Sequence, residues 1–375
     1  MLANVHALAA SHSVGVFGFY SDSADREADA DGFSVRVSRR FTPDVIARLG
    51  PTSLEWLRRS DGHPSDRWYS DGVMSELSSF VRELGASVIV VESLWLHRYI
   101  APLRGVGCRV VLDAHGLESM LHDELAASAS NPLAYRFAER TSRIEIAAFR
   151  ACDQVWIPSH REAELARAHG CSEVPLVVVP NVIEPERYGP AERRDSKDFV
   201  VIFPAAFGAL PNANASRRLL ERIFPALRER VPNARLALVG RDPTARMRAA
   251  ADDDDRVEVT GRVNDITAFL RRASVMAVPL SEGHGTRFKV LEAFASGLPV
   301  ISTQKGVEGI DADAGEHYLP AESDEEFVGT LVSLAQNPEL GARLATSALG
   351  LVRERYSLAS LRQVVTEALA MEAVR

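Results

Sequence analysis

This chain of 375 residues is short of cysteine, has no long apolar run and carries no excess of positive charge, and each shortage excludes something. Its three cysteines, Cys108, Cys152 and Cys171, form no Cys-x-x-Cys or other metal-ligand spacing. Two are expected to pack as small apolar residues, and all three suit a reducing cytoplasm. No apolar run approaches the ~18 residues that a membrane-spanning helix needs. Residues 1–10 are a poor secretory signal: the stretch is short, has no basic start and leads straight into a predicted strand. A formal charge of −8 argues against nucleic acid as the main partner. What remains is the composition of a globular protein, 46% apolar and 25% charged, long enough for two domains with two cores.

Strand-length apolar runs alternate with helical segments along most of the chain. Strands are expected at 13–19, 33–38, 87–92, 109–115, 154–159 and 176–180. In the second half they fall at 199–205, 235–239, 257–260, 274–279 and 298–302. Helices fit 2–10, 72–84, 131–150 and 160–169, then 213–230, 244–251, 265–273 and 287–295, and the tail from Asp324 is helical almost to Arg375. Runs such as Val88-Ile-Val-Val91 are apolar on both faces, the pattern of buried parallel strands. Strand–helix alternation implies a doubly wound α/β sheet, here two of them. A polar stretch with two prolines, Glu184 to Asp198, reads as the join. The expected division is an N-terminal domain at 1–185, a linker at 186–198, a C-terminal domain at 199–356 and a closing helix at 357–375 that packs back on the first domain. Ligands of such sheets bind beyond the carboxyl ends of the strands, so the expected place of function is a cleft where two such domains face each other.

The most informative segment is Pro279-Leu-Ser-Glu-Gly-His-Gly-Thr-Arg-Phe-Lys-Val-Leu-Glu-Ala-Phe-Ala-Ser-Gly-Leu-Pro-Val-Ile-Ser-Thr303. It reads as strand end, glycine loop, helix, glycine stop and next strand. At about 100° per residue, Gly285, Lys289, Glu292 and Ser296 fall within about 60° of one another. Phe288, Val290, Leu291, Ala293, Phe294 and Ala295 make the rest of the rod apolar. A helix buried on most sides should not carry a Lys and a Glu without a reason. Free N–H groups beside Gly283 and Gly285 suit an anion such as a phosphate, and the Glu292 carboxylate suits the hydroxyls of a ribose. The plain alternative is a surface ion pair between Lys289 and Glu292.

In order along the chain, this segment, Gly306-Val-Glu-Gly309, Val259-Thr-Gly-Arg-Val263, Pro232 to Gly240, Val179-Pro-Asn-Val182 and Leu112-Asp-Ala-His-Gly-Leu-Glu-Ser119 resemble glycosyltransferase family 4. The resemblance implies the GT-B fold of two Rossmann-like domains, and transfer of a sugar from a nucleotide-diphosphate donor to a hydroxyl acceptor with retention. It implies no cofactor beyond that co-substrate and no metal. By resemblance, His115 contacts the donor sugar or its phosphate; strand alternation puts Asp113 on the same side, where it is expected to orient the ring. Gly208, Arg262, Val263, His284, Gly285, Thr286, Arg287, Lys289 and Glu292 form the nucleotide-sugar side, and Glu92 and Glu118 are acceptor-side candidates. Gly208 also reads as an ordinary turn glycine, His115 as a hydrogen-bonded strand end, and the two glutamates as loop residues.

Three departures stand out. The family's paired glutamates lie eight positions apart; here Glu292 keeps the second, and His284 stands at the first with Glu282 two residues earlier. The Arg and Lys that hold the diphosphate after the first strand of the C-terminal domain are replaced by Ala205-Ala-Phe-Gly-Ala-Leu-Pro-Asn-Ala-Asn214, which has no base. Lys289 and Arg287 are then the nearest cations, and Arg287 faces the ligand only if the helix begins after it. Thirdly, the chain opens on a helix, so the N-terminal sheet is expected to lack its usual first strand.

Two other classes fit the same scaffold, a nucleotide-sugar epimerase and a non-catalytic nucleotide-sugar-binding subunit. The acidic run at 252–255 reads as a solvated loop and not as a metal site. Ser159 and His160 are neighbours and cannot form a triad. Arg39, Arg40, Arg58 and Arg59 flank the semi-apolar stretch 41–57 and leave a peripheral contact with an anionic membrane surface open. The Ala- and Arg-rich composition suits a bacterial protein, cytoplasmic and at most peripheral to the inner membrane face, making a glycan or a glycosylated secondary metabolite.

Overall fold

The computed structural model describes residues 2–18, 34–37, 62–129, 131–189, 198–283 and 287–371. The basic and semi-apolar stretch at 39–59 therefore lies outside the described residues, as do His284, Gly285 and Thr286. Two compact units divide the chain: Met1–Val179 with Leu361–Arg375, and Pro180–Ser360.

In the first unit, β3 (Val88–Glu92), β4 (Arg109–Asp113), β5 (Gln154–Ile157) and β6 (Leu176–Val178) form a parallel sheet in that order. The strands are apolar on both faces, and Val110, Leu112, Val155 and Ile157 are buried at 0% exposure. Separately, β1 (Gly15–Gly18) pairs in parallel with β2 (Ser34–Val37). No ladder joins the two sheets among the described residues. The helix Leu358–Ala370 binds this unit through its last carbonyls: Arg109 donates to Leu369 O at 2.8 Å, and the Gln154 amide donates to Ala368 O at 3.1 Å.

The second unit holds six parallel strands: β7 (Phe199–Pro204), β8 (Ala234–Val239), β9 (Val257–Val259), β10 (Val275–Val278), β11 (Val300–Ser302) and β12 (Leu319–Pro320). Their order is β12-β11-β10-β7-β8-β9, the doubly wound arrangement with a topological switch between β7 and β10. The chain runs outward from β7 first to one side and then to the other. In sheets of this order ligands bind beyond the carboxyl ends of the two strands at the switch, here β7 and β10. Residues 205–209 follow β7 there and residues 279–283 follow β10.

Several elements differ from the sequence reading. Helix 213–230 begins earlier, at Leu210, and passes through a wider π segment, Leu219–Ile223, before Phe224–Arg230. Pro225 lacks the N–H that a regular turn would use, and the ladder shifts around it. The tail is three helices, Asp324–Gln336, Pro338–Arg355 and Leu358–Ala370. The segment after His115 is a helix, Glu118–Ala129, and the start of the join is a helical turn, Pro185–Tyr188. The acidic run is half helical, since Ala245–Asp253 reaches into it, and Asp254 pairs with Arg228 at 2.5 Å.

Candidate functional site

The glycine loop after β10 leads into the helix Phe288–Ala295. Arg287 is its N-cap, with φ −85° and ψ 77°, so the regular turns begin after Arg287. Its guanidinium donates to Gly283 O at 2.6 Å and to Lys305 O at 3.3 Å, which ties the loop to the segment after β11. Val290, Leu291, Ala293, Phe294 and Ala295 are buried at 0–2% exposure. Phe288, expected on the apolar side, is instead 48% exposed at the first position of the helix. Ser296 closes the stripe, its hydroxyl donating to Glu292 O at 2.7 Å.

Lys289 and Glu292 form no surface ion pair. Lys289 is partly buried; its amine donates to Asn212 Oδ1 at 3.0 Å and lies 4.3 Å from the centre of the Phe203 ring. Both partners are neutral. Burial, and then the nearby Arg287 charge, lower the amine to about 7. Asn212, in the first turn of helix Leu210–Arg218, itself donates to Ala206 O at 3.0 Å, so the base-free stretch after β7 supplies the lysine's partner. Glu292 is half-buried, and its Oε1 accepts a hydrogen bond from Tyr188 Oη at 3.1 Å. Burial raises its carboxyl, opposed by the Tyr188 hydroxyl and the Lys289 charge.

Gly208 lies exposed in loop 205–209, with Asp242 beside it. The tighter glycine is Gly240, at φ 145°, where an added Cβ would overlap the Ala205 carbonyl. Arg262 is exposed, and Val263 packs partly against the core. Glu282 accepts from Asn214 Nδ2 at 2.6 Å. Lys289, Glu292, Glu282 and Asn212 thus all stand on or beside the two loops at the switch point. Asn212, Phe203 and Tyr188 were missed by sequence reasoning, and for Asn212 the only signal was the lack of a base around it.

In the first unit a second polar group gathers at the carboxyl ends of β3 and β4. His115 Nε2 lies 3.0 Å from Glu92 Oε2, and Asn4 Nδ2 donates to Asp113 Oδ2 at 2.5 Å. Ligand atoms of Glu92, Asp113 and His115 lie within 4.8 Å of one another, close enough to hold a cation. A second such set among the described residues is Asp313, Glu316 and His317, and it sits in a loop. Burial and then the Glu92 charge push the Asp113 carboxyl up to about 7. The hydrogen bond with Glu92 raises the His115 imidazole. Asn4 escaped the sequence reading, since one Asn on a short first helix carries no pattern. Glu118 stands apart from this group: its N–H donates to Glu145 Oε1 at 2.7 Å, and its carboxylate lies 3.6 Å from His122 Nε2.

Comparison with known proteins agrees with this architecture. The model for "Glycosyl transferases group 1" matches residues 199–337, and that for "Glycosyl transferase 4-like domain" matches residues 1–182. No curated protein matches the sequence. Among solved structures, sucrose-phosphate synthase from Thermosynechococcus elongatus is similar at 16% identity and a TM-score of 0.71, over 98% of this chain and 90% of that one. HepE of Anabaena in complex with UDP gives 14% identity and a TM-score of 0.68, over 98% and 94%. HepE in complex with UDP-glucose gives 16% and 0.63, over 98% and 94%. Two Rossmann-like α/β units of this kind define the GT-B class. The chain belongs to the family 4-like glycosyltransferases of that class.

Proposed function

We propose that the protein transfers a sugar, of the hexosyl type, from a nucleotide-diphosphate donor to a hydroxyl acceptor with retention at the anomeric carbon. The observation that carries this reading is the pair on helix Phe288–Ala295. An enclosed amine with only neutral partners and a half-buried carboxylate stand together where a doubly wound sheet binds its ligands. In this reading the leaving diphosphate gathers negative charge at the start of that helix, and Lys289 stabilises it. Glu292 accepts hydrogen bonds from the ribose. Gly208, Arg262, Val263 and the loop residues His284, Gly285 and Thr286 line the donor. Arg287 supports the loop through its carbonyl contacts and is the second candidate cation for the diphosphate.

Residues 1–185 carry the acceptor side and 199–356 the donor side, with 186–198 as linker. In the first, the raised imidazole of His115 offers a donated hydrogen bond to the sugar, with Asp113 and Glu92 fixing the ring. Glu118 belongs to the support of its own helix. The proposed chemistry uses these side chains and no metal. HepE, with a similar fold, is recorded with UDP and with UDP-glucose, which supports a nucleotide sugar as donor.

The test is incubation of a panel of UDP, GDP, dTDP and ADP sugars with and without hydroxyl acceptors, followed by NMR of the product. The expected result is acceptor-dependent release of the nucleoside diphosphate and a product with the donor's anomeric configuration. His115→Ala should lower turnover by about a hundredfold or more while leaving nucleotide affinity nearly unchanged. Change of the donor sugar in the absence of acceptor would make the protein an epimerase, and binding without turnover would make it a carrier subunit.

A further inference from the structure

The helical turn Pro185–Tyr188 has no place in the family resemblance, yet it reaches the nucleotide side of the site. Pro185 begins the turn, and Gly189 at φ 64° ends it. Tyr188 is buried, at 9% exposure, within the core of the second unit. Its backbone is held as firmly as its ring: Arg271 donates to the Tyr188 carbonyl through Nε at 3.2 Å and Nη2 at 3.1 Å. The hydroxyl, so placed, donates to Glu292 Oε1. Among the described residues this is the one hydrogen bond to the Glu292 carboxylate, and it engages Oε1 alone.

We infer that Tyr188 is a positioning residue that fixes the Glu292 carboxylate for a vicinal diol and so sets the preference for ribose over 2′-deoxyribose. The inference rests on the reading of Glu292 given above. A glutamate side chain that turns freely must be ordered each time a ligand binds, whereas one held at one oxygen is ready for it. The Tyr188 hydroxyl is suited to that task. Burial and then the adjacent Glu292 charge raise its pKa, so it stays a donor throughout the working pH range. Discrimination against a missing hydroxyl is strong only where the acceptor built for it is rigid and would be left without a partner.

The experiment is titration of the full chain with UDP, ADP and GDP, each beside its 2′-deoxy counterpart, for the wild type and three variants. Wild type should favour the ribonucleotide by about tenfold or more. Tyr188→Phe keeps the ring and its packing and removes only the donor. It should weaken the ribonucleotide several-fold and shrink the ribose preference at least threefold, with the melting temperature of the free protein recording that the fold is kept. Arg271→Lys, which loosens the Tyr188 carbonyl, should shrink the preference in the same direction by less. An unchanged preference in Tyr188→Phe, while Glu292→Ala abolishes it, would overturn the inference and leave the Glu292 reading standing. Tighter ribonucleotide binding by Tyr188→Phe would also overturn it, since Tyr188 would then compete with the ligand. If Glu292→Ala changes nothing, the Glu292 reading is wrong and the inference falls with it.

Discussion

At Lys289 a single amine carries most of the electrostatic argument. An ammonium held by an aromatic ring and an amide oxygen has lost water, and that burial, with the Arg287 charge, outweighs the Glu292 charge, which is why its pKa falls from 10.5 to about 7. The lowered value has two consequences of opposite sign. Between pH 7 and 10.5 the unfolded chain holds a proton here that the ligand-free folded chain does not, so this group makes the free protein more stable as pH rises through that window. Diphosphate binding works the other way. Below pH 7 the amine is already charged. Above it, binding must draw in a proton, and affinity should fall by up to about tenfold per pH unit. Calorimetry at pH 8 in two buffers of different ionisation enthalpy should record uptake of close to one proton per ligand, and Lys289→Met should abolish both the uptake and the pH dependence. The lysine itself was legible as one polar residue on a greasy helix. Its partner was not, because an Asn at Asn212 reads as any surface residue until the fold brings it to the amine.

Elements differ in how far periodicity exposes them. Helix Phe288–Ala295 was legible because its apolar residues surround a single polar line, and burial of Val290, Leu291 and Phe294 at 0% accounts for that pattern. Phe294→Ala should cost about 3–5 kcal/mol in chemical denaturation. The helix Glu118–Ala129 was missed for the converse reason. Leu125 is 46% exposed, and the apolar residues show no stripe that would separate the segment from a loop. Turn Pro185–Tyr188 was missed because four residues are too few to show a period, and its neighbours are polar. Glycines were legible as turn signals without their order of importance. Gly208 stood out in sequence, yet Gly240 is the one that lets loop 205–209 pass close to β8. Gly240→Ala should destabilise the fold by about 1–3 kcal/mol and weaken nucleotide binding through Ala206 and Asn212, whereas Gly208→Ala should leave stability within about 0.5 kcal/mol. Thermal unfolding of the two variants with and without nucleotide checks both statements.

For the whole molecule, alternation of strands and helices fixed the class before any site was considered. What it could not supply was strand order. In the order β12-β11-β10-β7-β8-β9, β7 and β10 pair in parallel, so their carboxyl ends are neighbours. Loop 205–209 and helix Phe288–Ala295 are about eighty residues apart in sequence, and the switch point joins them into one site. Helix Leu358–Ala370 was expected to pack back on the first domain. The hydrogen bonds from Arg109 and Gln154 to its last carbonyls give the physical reason. Calorimetric titration of wild type and Glu292→Ala with UDP, GDP, ADP and dTDP is the most direct test of the central claim. One nucleoside diphosphate should bind per chain, and Glu292→Ala should weaken it by about tenfold or more. Equal affinity in the two proteins, or no binding of any of the four, would contradict the account.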